Sequence, residues 1–190
     1  MKMTRLVLAA LLTVGAFTYT AQASDGPLAG TSSATSTVEL TIPAMVQIVG
    51  MQDNIGVSWP ATAGTGDTLR VADTTICVFS NTFASDDEGE YKITVDSSST
   101  TAGAATALGV VNGSKRIAYT FDWYDAASTA GTNYTLTVGQ TRTGLTNGDT
   151  DLTACANNSA MRISFSGANV LNDNPAGTYT GSLVLLVEPD

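Results

Sequence analysis

The sequence predicts an all-β protein: an antiparallel sandwich with Greek-key links. Three observations carry that prediction. Apolar residues recur at period two along many short runs, turn-forming residues separate the runs, and no segment sustains helical periodicity.

The 190-residue chain opens with Lys2 and Arg5, then "LVLAALLTVGAF", an apolar run too short to span a bilayer comfortably, and then "AQA" at 21–23. That order is the pattern of an export signal, with cleavage expected before Ser24. Residues 24–36 are rich in Gly, Ser, Ala and Thr and have little to bury, so they read as a flexible arm. The expected organisation is a signal peptide over 1–23, a flexible arm with an N-terminal strand over 24–43, and one β-sandwich domain over 44–190. No later stretch is long and apolar enough for a membrane-spanning helix.

"STVELTIP" (36–43) alternates Val38, Leu40 and Ile42 with Thr37, Glu39 and Thr41, and so reads as a strand with one apolar face. Pro43 lacks the N–H a ladder needs and separates it from "AMVQIVGM" (44–51), which resumes with Val46 and Ile48. "DTLRVAD" (67–73) is polar, as expected of an edge strand, and "TTICVFS" (74–80) is apolar, as expected inside a sandwich. "YKITVDS" (91–97), "RIAYTFDWYD" (116–125), "NYTLTVG" (133–139) and "MRISFSG" (161–167) all alternate. "TYTGSLVLLVEP" (178–189) ends the chain with Leu183, Leu185 and Val187 on one face. Asn112-Gly113, Asn147-Gly148 and "NDNPAG" (172–177) are turn signals. "TTAGAATALGVV" (100–111) offers at most a turn of helix, weakened by Gly103 and Gly109.

The composition excludes several chemistries. The chain carries 8 Lys+Arg against 17 Asp+Glu, a net charge of −9, and two of those basic residues lie in the leader. Such acidity argues against nucleic acid and anionic membrane surfaces as partners. Histidine is absent, which removes the usual base of a nucleophilic triad and a common metal ligand. No cofactor, metal or catalytic residue is expected, and the chain does not read as an enzyme. The carboxylates of "SDDEGE" (85–90) lack EF-hand spacing and read as a solvated loop; "AGTGD" (63–67) lacks the lysine and helix of a phosphate loop. "NYT" at 133 and "NNS" at 157 fit a glycosylation sequon, relevant only in a eukaryotic secretory route. Tyr119, Phe121 and Trp123 share a strand face and read as core, leaving Tyr124 and Trp59 freer to be exposed for a sugar. The two cysteines, Cys77 and Cys155, suggest a single disulfide in an exported chain.

The order of these pieces resembles bacterial chaperone–usher pilins, most nearly the archaic type related to spore-coat-U-like domains. The matching features are the export signal, the alternating strand behind it, "TICVFSN" leading to "YKITVDS", then "IAYTFDWYD", and finally "AGTYTGSLVLLVEP". Where related subunits often carry a cysteine soon after the first strand, this chain has "PAMVQIVG". The resemblance implies an immunoglobulin-like sandwich lacking its last strand, with an apolar groove open beside the final strand. Val38, Leu40 and Ile42 are then the donor residues. Val46, Ile48, Leu183, Leu185 and Val187 line the acceptor groove. It further implies a homopolymer of identical or related pilin subunits, a periplasmic chaperone, an outer-membrane usher, export through the periplasm to a surface pilus, and a role in adhesion or biofilm formation. The alternative is an exported carbohydrate- or receptor-binding β-sandwich, a tip adhesin or lectin-like module. The blander reading of residues 36–42 is that they complete their own sheet.

Overall fold

The computed structural model describes residues 31–34, 38–82, 89–96 and 107–190. The expected signal peptide, Ser36, the acidic run 85–88 and most of 100–111 lie outside them. The chain divides into two units, Met1–Ile42 and Pro43–Asp190. In the first, the described residues 31–34 and 38–42 are exposed and form no strand.

The second unit is an antiparallel two-sheet sandwich. Its elements are β1 (Val46–Val49), β2 (Thr68–Ser80), β3 (Gly89–Val95), β4 (Gly109–Asn112), β5 (Lys115–Tyr124), β6 (Asn133–Leu136), β7 (Thr141–Gly148), β8 (Ser159–Ser166), a five-residue helix α1 (Gly167–Leu171) and β9 (Leu185–Pro189). The larger sheet runs β1-β2-β8-β5-β4, with β6 also on β5; the smaller runs β7-β3-β9. Neighbours distant in sequence, β2 beside β8 and β3 beside β9, mark Greek-key crossovers. The β1-β2-β8-β5 order corresponds to A-B-E-D of an immunoglobulin sandwich, and β3-β9 to its C-F pair.

Alternation fills the core as the sequence suggests. β3 buries Tyr91, Ile93 and Val95; β5 buries Ile117, Phe121 and Trp123; β8 buries Met161, Ile163 and Phe165. The expected strands 67–73 and 74–80 are one element, broken by a register shift between Asp73 and Ile76. Asp73 is buried there, and its carboxylate accepts from the N–H groups of Gln52 and Thr75 and from the Thr75 hydroxyl. Thr75 Oγ1 also lies 2.9 Å from the Gly50 carbonyl oxygen. Gly50 has φ +78°, and a Cβ there would lie 2.2 Å from the Thr75 carbonyl oxygen. Only glycine fits, so β1 leaves the β2 ladder at this point.

Two strands run against the sequence reading. β7 is polar and has no apolar period in the sequence, and Asn147-Gly148 ends it instead of forming a hairpin turn. β4 replaces the suggested helical turn around Gly109 and pairs with the start of β5.

Candidate functional site: an open seam between the sheets

One side of the sandwich is closed. There the guanidinium of Arg142 on β7 sits 4.1 Å over the ring of Tyr134 on β6. The turn after β6 is bonded to the end of β3, through Gly139 N–H to Val95 O and Val95 N–H to Gln140 O.

The other side is bounded by β1 and β9, each an outer strand of its sheet. Antiparallel ladders turn alternate residues' main-chain groups toward and away from the partner strand. Asn81 N–H donates to Met45 O, just beyond the Val46–Ser80 pair. By alternation, Val46 and Ile48 turn their N–H and C=O groups away from β2. On β9, Asp96 N–H donates to Val184 O, beside the Val95–Leu185 pair. Leu185 and Val187 therefore turn theirs away from β3, to an edge where no described strand pairs. The side chains of Val46, Ile48, Leu183, Leu185 and Val187 pack against the core yet are only partly buried. Of the five residues expected to line a groove, Val46 and Ile48 lie on β1, Leu185 and Val187 on β9 and Leu183 just before it; Leu183 also lines the cavity described next.

Sequence reasoning missed the rest of it. After Gly50 the chain forms no strand as far as residue 67, and Ile55, Val57 and Trp59 are half-buried between exposed neighbours. Met51, Ile55 and Val57 form one wall of a cavity of about 480 Å³; Tyr179 to Leu183 form the other. Val110, Tyr119, Ile163 and Phe165 also line it. Tyr119 and Phe165 pack with ring centroids 5.5 Å apart, and burial raises the Tyr119 hydroxyl pKa, so it stays neutral. The 179–183 wall is fixed by Val111 and Thr180, which exchange main-chain hydrogen bonds of 2.8 and 3.0 Å. A Cβ at Gly181 would lie 2.5 Å from the Gly109 carbonyl oxygen, so glycine is required for that wall to close on β4. The seam offers main-chain donors and acceptors along its rims and apolar side chains below. That is the chemistry that receives an extended peptide strand.

Val38, Leu40 and Ile42, the expected donor residues, are 91%, 82% and 66% exposed. Cys77 and Cys155 form a disulfide that ties the loop before β8 to β2, with Cα atoms 6.0 Å apart. Closing 78 residues this way contributes about 4 kcal/mol in the chain-entropy model.

The sugar-platform candidates are corrected by the structure. Tyr124 is 1% exposed, because Arg162 lies across its ring at 5.2 Å. Trp59 is half-buried against the core, with its Nε1 covered. Tyr124 presents no free aromatic face.

No family model matches the sequence, and no curated protein matches it. A solved structure does. The fold is similar to a chain from a chaperone–tip adhesin complex vital for synergistic activation of CFA/I fimbriae biogenesis, with TM-score 0.50 and 16% identity. The match covers 76% of this chain and 41% of that one, so this chain spans about two-fifths of that chain's length. The likeness is one of fold.

Proposed function

We propose that this protein is a structural, non-enzymatic subunit of a chaperone–usher surface pilus, and that it polymerises by donor-strand exchange. The observation that carries the reading is the pairing of opposite features in one chain. An apolar seam whose main-chain edges no described strand pairs lies in the domain, and a segment with three alternating, exposed apolar residues precedes it. Val38, Leu40 and Ile42 of one subunit enter the seam of the next, while Thr37, Glu39 and Thr41 face outward. Burying three such side chains contributes roughly 5 to 9 kcal/mol before ordering costs. Main-chain hydrogen bonds to the β9 edge set direction and register.

The same seam gives a periplasmic chaperone its docking place before an outer-membrane usher passes the subunit to the fibre. The route begins with cleavage of residues 1–23 and ends at the cell surface, where a homopolymer supports adhesion or biofilm formation. The fimbrial setting of the structural neighbour agrees with this reading.

The test is deletion of residues 24–42 behind the intact signal. The shortened subunit is expected to accept a strand and to cap fibres, but not to extend them. Normal fibres from it, seen by electron microscopy of sheared surface material, would show that the arm is not the donor.

A further inference from the structure

The entry to β1 is held in an unusual way. The Asn81 N–H bond to the Met45 carbonyl, 3.1 Å, carries the β1–β2 ladder one pair beyond Val46 and Ser80. The Asn81 side chain then closes on the same stretch with both ends of its amide. Met45 N–H donates to Asn81 Oδ1 at 2.6 Å, and Asn81 Nδ2 donates to the Pro43 carbonyl at 2.9 Å. Three hydrogen bonds to one residue thus tie down the main chain of residues 43–45 just ahead of β1. Pro43 adds its own restriction on φ and keeps Ile42 out of the helical region.

We infer that Asn81 is a clamp that commits the arm to another subunit by denying residues 43–45 the turn that self-insertion requires. The inference rests on the donor-strand reading above. To enter its own seam beside β1, the arm must reverse direction after leaving the domain. The tightest reversal uses about two turn residues. With the Pro43 carbonyl and both main-chain groups of Met45 bonded to Asn81, that turn falls on residues 41–42 or earlier. It then consumes Ile42, one of the three side chains the seam would take, and draws Leu40 toward the bend. Self-insertion is left with too short an apolar repeat, whereas a second molecule's arm enters whole. Asn81 is therefore a positioning residue: it touches the root of the arm and never the bound strand.

The test uses the full mature chain, residues 24–190, as wild type, Asn81→Ala and the near-isosteric Asn81→Asp. The Asp variant keeps an acceptor for Met45 N–H and sets a carboxylate oxygen against the Pro43 carbonyl in place of the donor, so it carries the test if the Ala variant fails to fold. Two readouts are taken. Amide hydrogen exchange is expected to be roughly tenfold faster at residue 81 in Asn81→Ala, from the loss of two modest hydrogen bonds, while Gln47 and Val49 exchange as in wild type. General destabilisation would instead speed all of these amides together. After refolding at matched concentration, native mass spectrometry is expected to find a several-fold larger share of monomers that refuse an added peptide of residues 32–43. An unchanged exchange rate at residue 81 in the Ala variant, or an unchanged share of self-closed monomers in both variants, overturns the inference. Wild-type protein that neither polymerises nor takes the peptide overturns the donor-strand reading itself, a different outcome.

Discussion

The hydroxyl of Tyr91 on β3 donates to Asp125 Oδ1, just beyond β5, across 2.8 Å, and so bonds one sheet of the sandwich to the other through its core. The same hydroxyl accepts from Trp123 Nε1 at 3.2 Å and lies 3.1 Å from Ser159 Oγ. Asp125 Oδ2 in turn accepts from the N–H groups of Thr146 and Asn147, fixing the end of β7. Burial and the nearby Asp125 charge push the Tyr91 pKa far up, so the hydroxyl remains a donor at any working pH. Tyr91→Phe keeps the ring but leaves the Trp123 indole N–H without its acceptor. Leaving one buried group unpaired costs about 1 to 3 kcal/mol. Chemical denaturation is expected to show a loss of about 2 kcal/mol with an unchanged slope. A neutral substitution would mean that this tie contributes nothing to holding the sheets together.

Acid should weaken the domain through two carboxylates. Burial acts to raise the Asp122 pKa, but hydrogen bonds from Thr135, Arg162 and Asn133, with the Arg162 charge, outweigh it and hold the group below the usual carboxylate range. Its ion pair with Arg162 spans 2.8 Å. Asp73 behaves likewise: burial raises it, and the hydrogen bonds from Thr75 and Gln52 prevail. A folded pKa below the unfolded one gives stability that is complete above the unfolded value, near 3.9, and is lost as pH falls through the folded value. Denaturation midpoints should therefore hold steady between about pH 7 and 5 and fall below about pH 4. Asp122→Asn is expected to cost roughly 1 to 3 kcal/mol at neutral pH and to flatten the acid branch. An acid branch as steep as wild type would remove Asp122 from the account.

Much of this fold was legible because burial writes itself into sequence as alternation. Tyr91, Ile93 and Val95, like Phe121 and Trp123, point inward as their spacing suggests. β7 was illegible for the complementary reason. It is a polar outer strand burying only Leu145 and Gly148, so no apolar period marks it. The segment after Gly50 hid the second wall of the seam. Ile55, Val57 and Trp59 do alternate, but Gly50 and the Asp73 bulge take them off the ladder, and neither device has a one-dimensional signature. The sequence suggests a last strand within residues 178–189, and its ladder begins only at Leu185. The stretch before it is held by the Thr180–Val111 bridge and the close approach of Gly181 to Gly109. Tyr124 faces outward as its position suggests and is nonetheless buried, with the Arg162 guanidinium over its ring.

The claim that the seam receives the arm of another subunit is tested most directly by calorimetric titration of a synthetic peptide, residues 32–43, into the mature subunit. The native peptide is expected to bind and to raise the thermal midpoint. The Glu39→Gln peptide should match it, because that side chain faces outward. The Leu40→Asp peptide should bind at least about 100-fold more weakly, since an unpaired carboxylate in an apolar seam costs several kcal/mol. Placing the change in the peptide leaves the fold of the subunit untouched. Equal binding of the native and Leu40→Asp peptides, or binding of neither, would contradict the account.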